Sequence, residues 1–433
     1  MKYIKLFSIL MLPVFVLFIA CELEEPSIKK TETDTTPLDL SKYVAIGNSL
    51  TAGYQSGSLV VDHQMYSYPN LIAQQLGITD FEQPTVSWPG IPNIMTLESV
   101  TGTLGTASGT GAPTNLTLAR PYDNMGIPGI VLADVENATS TTDSYSHSAA
   151  IDLVLRGLGT QLAQALVLQP KFITCWIGNN DVLGFATSGG VSPASPTAAA
   201  NFEHFYQSLG EKLAASGAKV VVANIPNVTA IPFFTTLPGI VLDANRNPVI
   251  VDGNPVPLVG VNPYTDLVLL TAAAAMTQGL GIPVALGGTG QPLPDQVFLD
   301  AAELAELATA TAAFNQTIKT VADVNGFALF DVNAFFDEIV ANGGYDPGNG
   351  MDILTTSYIS GGLFSLDGVH PTNLCYAILA NQFIKAANEK FGTQIQPVNL
   401  RDVIGQQPEL AKVTNVQPGI YNNVVTIFGG EIK

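Results

Sequence analysis

Four short stretches of the chain carry residue types that could do chemistry together. Ser49 follows Gly47 and Asn48 at the end of an apolar run, Tyr43 to Ile46. Asp367 and His370 lie three residues apart, with Gly368 between them. One turn at that glycine can bring the carboxylate beside the imidazole. It would then hold one ring nitrogen protonated and leave the other to accept a proton from a hydroxyl. Gly129 ends the stretch NMGIPG that begins at Asn124, and Asn180 sits in GNND, Gly178 to Asp181. A glycine lets a backbone N–H approach a ligand closely, and an asparagine amide adds a donor; together they are what a developing oxyanion needs. Each piece also has a plainer reading. Ser49 reads as a helix N-cap, and Asp367 as the cap of a final helix with His370 on the surface. Gly129 and Asn180 read as turn residues. Singly the stretches leave both readings open. All four at strand ends of one sheet point to acyl transfer through a serine.

The elements that must position these residues alternate. Apolar strands are expected at 172–177 (FITCWI), 219–225 (KVVVANI) and 327–332 (FALFDV), besides the run at 43–46 and a strand before Asn124. Helical spacing of apolar residues spans 149–167, 198–215, 300–324 and 373–391. Fully apolar strands alternating with helices imply a parallel α/β sheet covered on both faces. In such sheets functional groups gather beyond the carboxyl ends of the strands. Two regions break the alternation, 78–122 and 227–298, and both are expected to be insertions around the active edge of the sheet. Residues 243–254 read as strand–turn–strand. The Asp-x-Asn-x-Asn beginning at Asp243 lacks the central glycine and closing glutamate of a calcium loop.

The chain has 433 residues, 47% of them apolar, and a formal charge of −19. That acidity argues against nucleic acid or anionic lipid as an electrostatically held partner. Residues 1–20 pair a basic start, Lys2 and Lys5, with an apolar stretch too short to span a bilayer comfortably. The stretch ends Leu-Phe-Ile-Ala-Cys at Cys21 and resembles a bacterial lipobox, which implies lipidation of Cys21. Residues 21–38 then form a polar tether, and Glu22-Leu23-Glu24-Glu25 is similar to surface-export signals of lipoproteins in the Bacteroidetes. The expected location is the bacterial cell envelope, lipid-anchored at the outer membrane. Cys175 and Cys375 are expected to be buried thiols. Four histidines, His63, His147, His204 and His370, offer no metal spacing. Trp88 and Trp176 read as packing residues.

Taken together, Gly47-Asn48-Ser49-Leu50, Gly129, Gly178-Asn179-Asn180-Asp181 and Asp367-x-x-His370 resemble the four motif blocks of the SGNH (GDSL) hydrolases. The resemblance covers 42–391 by block order and is similar to large lipoprotein members of that family. It implies a flavodoxin-like three-layer α/β/α sandwich over residues 39–392, with a C-terminal appendage at 393–433. It implies Ser49 as nucleophile, His370 as general base and Asp367 as triad acid. The oxyanion hole would be the amides of Ser49 and Gly129 with the side chain of Asn180. The substrate would be an ester of a lipid, an acylated carbohydrate or a small molecule, with no cofactor. The chain departs from the usual Gly-Asp-Ser at Asn48, and Gly126 competes with Gly129 for the second block. The alternative to an esterase is a surface binding lipoprotein on the same scaffold that has lost turnover.

Overall fold

The computed structural model describes residues 38–99, 103–191, 194–243, 245–348 and 350–406. The signal segment 1–20, most of the tether and residues 407–433 of the appendage lie outside these.

Five short strands are each followed by helix: β1 (Tyr43–Gly47), β2 (Asn124–Gly126), β3 (Phe172–Trp176), β4 (Lys219–Ala223) and β5 (Ala328–Phe330). All pair in parallel, in the order β5-β4-β3-β1-β2. This is the flavodoxin-like order, whose topological switch point lies between β1 and β3. The apolar runs suit such a sheet because parallel strands covered on both faces bury side chains of both faces. Tyr43, Val44, Ala45 and Ile46 are all buried, and the Tyr43 hydroxyl is satisfied by Thr174 Oγ1 at 2.7 Å.

Helices cover both faces. On one lie α2 (Tyr68–Gln75) and the C-terminal helix α9 (Asn373–Phe391), after the single turn α1 (Ser49–Ala52) that leaves β1. Tyr68 stacks on Phe383 at 4.5 Å between them. The other face carries α3 (Ala150–Leu155), α4 (Gln161–Val167), α5 (Asn180–Thr187), α6 (Ala199–Ala215) and α7 (Ala301–Asn325). Phe202 of α6 stacks on Phe314 of α7 at 3.9 Å. The short α8 (Val332–Ala341) follows β5.

Two local expectations change. The helix expected over 149–167 is two helices. Arg156, Gly157 and Gly159 have φ of +53°, +71° and +113°, and Thr160 caps the restart by accepting the Ala163 N–H. Arg156 is held in that conformation by the carbonyls of Leu118 (2.6 Å) and Arg120 (2.7 Å) and lies 4.0 Å from the centre of the Tyr122 ring. The second strand does not precede Asn124 but begins there. Pro121 lacks an N–H for the ladder, and pairing starts opposite Ala45. Region 227–298 holds a small core of its own around Val241, Leu258, Val268 and Leu293. Its hairpin, Ile250–Val251 with Asn254–Pro255, turns at Asp252 and Gly253, both with positive φ as a primed turn requires. Region 78–122 contains the hairpin Met95–Leu97 with Leu104–Thr106. Ile395, Val398 and Val403, beyond α9, pack into the main core.

Candidate active site

Gly47 ends β1 under tight constraint: a Cβ there would lie 2.1 Å from Thr51 Oγ1 and 2.4 Å from the Trp176 carbonyl oxygen. The chain turns directly into α1. Its cap is Asn48, whose Oδ1 accepts the Leu50 N–H at 3.0 Å, so the reading of Ser49 as the cap is corrected. Ser49 is the first helical residue, and its Oγ lies 3.0 Å from His370 Nε2.

The reading of Asp367 as cap of the final helix is corrected too. Thr372 caps α9 by accepting the Cys375 N–H at 3.1 Å. Asp367 is spent on the turn and on His370. Its Oδ1 accepts N–H groups from Val369 (2.9 Å) and His370 (2.8 Å) and the Ser365 hydroxyl (3.2 Å). Its Oδ2 accepts the Gly57 N–H at 2.9 Å and pairs with His370 Nδ1 at 2.9 Å. Burial would raise the Asp367 carboxyl, but the imidazole beside it and these donors hold it at about 2. A charged carboxylate at Nδ1 keeps the proton there and turns Nε2 into an acceptor for the serine hydroxyl. The Tyr54 ring packs on the imidazole with centroids 4.7 Å apart.

Asn180 opens α5 at the end of β3, and its Nδ2 donates to the Ile130 carbonyl at 2.7 Å, leaving one amide hydrogen. Gly129, one residue before Ile130, has φ +83°. It borders this loop but is not among the residues lining the cleft. Gly126 is the last residue of β2, where a Cβ would strike the Ala52 backbone N at 2.3 Å. That packing accounts for a glycine at 126 without any part in the site.

Ser49, His370 and Asn180 line one cleft of about 680 Å³, counting the space at its mouth. Its remaining wall is largely apolar, from Leu183, Val228, Ile231, Phe336, Val340 and Phe364. Sequence reading missed these, because α8 and the start of the 227–298 insertion reach the cleft only through the fold. Trp176 lines it as well, with Nε1 donating to the Asn224 carbonyl at 3.0 Å, while Trp88 lies on the surface, 41% exposed. His63 is buried against Asn373 Oδ1 (2.9 Å), and His147 and His204 are on the surface. Cys175 and Cys375 are buried free thiols. Among the described residues no group of His, Cys, Asp and Glu could hold a metal ion.

The family of GDSL-like lipases and acylhydrolases matches residues 43–383, from the first residue of β1 into α9. The chain belongs to that family. It is a carboxylic ester hydrolase of the GDSL type, and its sheet order is the one the motif resemblance implied. No curated protein matches this GDSL hydrolase. Among solved structures it is similar to LAE5, an alpha/beta hydrolase enzyme from the metagenome of Lake Arreo, at 14% identity over 80% of this chain and 95% of the other, TM-score 0.36. It is also similar to the acetyl xylan esterase AlAXEase, at 16% identity over 80% and 98%, TM-score 0.34. An extracellular lipase from Streptomyces rimosus aligns at 15% identity over 81% and 99%, TM-score 0.34.

Proposed function

We propose that the protein is a lipid-anchored serine esterase that works through an acyl-enzyme on Ser49. The observation that carries this reading is the unbroken line of contacts: Ser49 Oγ to His370 Nε2 at 3.0 Å, then His370 Nδ1 to Asp367 Oδ2 at 2.9 Å. Ser49 attacks the ester carbonyl while His370 Nε2 takes its proton. The oxyanion is met by the N–H of Ser49 and the second amide hydrogen of Asn180; Gly129, outside the cleft lining, is assigned the remaining donor by the motif resemblance alone. Losing one such donor costs about 10²–10³ in rate. Collapse returns the proton from His370 to the leaving alcohol. Water, activated by the same imidazole, then releases the acid. The apolar wall is suited to the acyl chain rather than to a polyol, which would leave its hydroxyls unpaired there.

The experiment is hydrolysis of p-nitrophenyl esters by protein beginning after Leu38, with labelling of Ser49 by a fluorophosphonate. Ser49→Ala is expected to remove both. Equal activity in the two proteins would sink the reading. The anchor rests on the basic and apolar run ending at Cys21. Incorporation of a palmitate analogue by the full chain, lost in Cys21→Ser, is the expected result, and fractionation with the outer membrane goes with it.

A further inference from the structure

Asn48 is the one place where the first motif block departs from Gly-Asp-Ser, and it is fully buried. Its Oδ1 is taken by the Leu50 N–H at 3.0 Å. Only Nδ2 remains, and that group can only donate. It lies 3.0 Å from the side chain of Asn179. The atom of Asn179 that faces it must therefore be the acceptor Oδ1. The Asn179 amide is thus oriented with Nδ2 turned away, where it is buried without a hydrogen-bond partner among the described residues. Asn48 immediately precedes Ser49, and Asn179 immediately precedes Asn180. β1 and β3 are neighbours at the switch point, with Gly47 opposite Trp176. One side-chain hydrogen bond therefore joins the two strand ends, one residue from each functional group.

We propose that the Asn48–Asn179 amide pair is a positioning element that sets the nucleophile Ser49 against the oxyanion donor Asn180. The proposal rests on the reading of those two residues given above. Its direction is fixed: residue 48 donates and residue 179 accepts. An aspartate at 48 can only accept, so Asn179 must turn its amide over to offer Nδ2. That turn changes no volume and gives the unpartnered Nδ2 a carboxylate. An aspartate at 179 keeps the present direction. Aspartate at both positions sets two carboxylates face to face in a buried site, where they cannot both ionise readily.

The test is a set of kcat and KM measurements on a butyrate ester, with melting curves to show folding and fluorophosphonate labelling to report Ser49. Asn48→Ala is expected to lower kcat about 10–100-fold with KM changed far less, the signature of a misplaced group. Asn48→Asp is expected to recover most of that loss. Measured against Asn48→Asp at the same pH, the double variant Asn48→Asp with Asn179→Asp is expected to lose it again at about pH 8 and regain part at about pH 5, as one carboxyl takes a proton. Folded Asn48→Ala with wild-type kcat would overturn the proposal, as would a double variant as active as Asn48→Asp at both pH values. In either case a labelled, active wild type leaves the esterase reading standing. A wild type with neither hydrolysis nor labelling overturns both.

Discussion

The carboxylate of Asp181 accepts the backbone N–H of Leu132 at 2.9 Å, while its neighbour Asn180 donates to the Ile130 carbonyl at 2.7 Å. Two adjacent residues at the start of α5 thus grip alternate residues of the loop that carries Gly129. The distance between Gly129 and Asn180 is set by this double tie, and both supply the proposed oxyanion site. Asp181 also accepts the Thr197 hydroxyl at 2.8 Å.

The tie has a pH cost. Burial pushes the Asp181 carboxyl up to about 7, the two donors oppose this, and the nearby charge of Asp134 adds to it. In the unfolded chain the same group titrates near 3.8. The folded state therefore binds the proton more tightly. This contribution to stability is complete below the unfolded value and is lost as pH rises through about 7. Asp181→Asn keeps an acceptor for Leu132 and has no charge to bury. Urea unfolding is expected to show wild type losing on the order of a few kcal/mol between about pH 4 and pH 8 through this group, with a flatter profile in the variant. Parallel profiles would refute it.

Asp367 works in the opposite direction. Its carboxyl is held at about 2, below the ordinary 3.8, so the stability it contributes is present above the unfolded value and lost as pH falls toward 2. At neutral pH that is about 2 kcal/mol. Asp367→Asn puts an N–H donor where Nδ1–H or the Gly57 N–H now finds an acceptor. The tautomer that frees Nε2 is no longer favoured. A fall in kcat of about 10³–10⁴ is expected, with fluorophosphonate labelling slowed in step. A variant that labels at the wild-type rate would show that the carboxylate does not orient the imidazole.

The parts of this protein visible in its sequence are those set by short-range constraints. The runs at 172–176 and 219–223 read as strands of a covered parallel sheet because, Thr174 and the leading Lys219 apart, they are continuously apolar. Asp367 and His370 are legible because one turn is enough to join them. Asn48 and Ser49 were harder. Both can cap a helix, and only the position of His370, 321 residues away in sequence, separates their roles. β2 was misplaced because it is three residues long, and its register comes from β1 rather than from its own pattern. The apolar wall of the cleft was not legible at all. Phe336 and Ile231 look like ordinary core residues, and nothing local marks which apolar side chains will border a cleft.

Tyr54 supports the imidazole from the side. Its ring lies 4.7 Å from that of His370, its hydroxyl donates to the Gly57 carbonyl at 2.5 Å, and its carbonyl accepts the Tyr376 hydroxyl at 2.9 Å. Tyr54→Phe keeps the ring and is expected to retain kcat within about threefold. Tyr54→Ala lets the imidazole swing and is expected to lose about tenfold or more, since small misplacements are costly. Equal kcat in the two variants would mean that the ring is not what holds His370.

The cleft wall makes a prediction about chain length. Val228, Ile231, Phe336 and Phe364 offer apolar surface beyond Ser49, and Val340 stands at the rim, 51% exposed. Each methylene buried there is worth about 0.8 kcal/mol, close to a fourfold gain in kcat/KM if it is realised in the transition state. The series of p-nitrophenyl acetate, butyrate, hexanoate and octanoate is expected to rise from acetate and then level where the chain passes Val340. Val340→Trp, which narrows the rim without disturbing a buried position, is expected to move the plateau to a shorter chain. It should cut the octanoate-to-acetate ratio about tenfold or more. A flat series in the wild type would show that the acyl group does not lie against this wall.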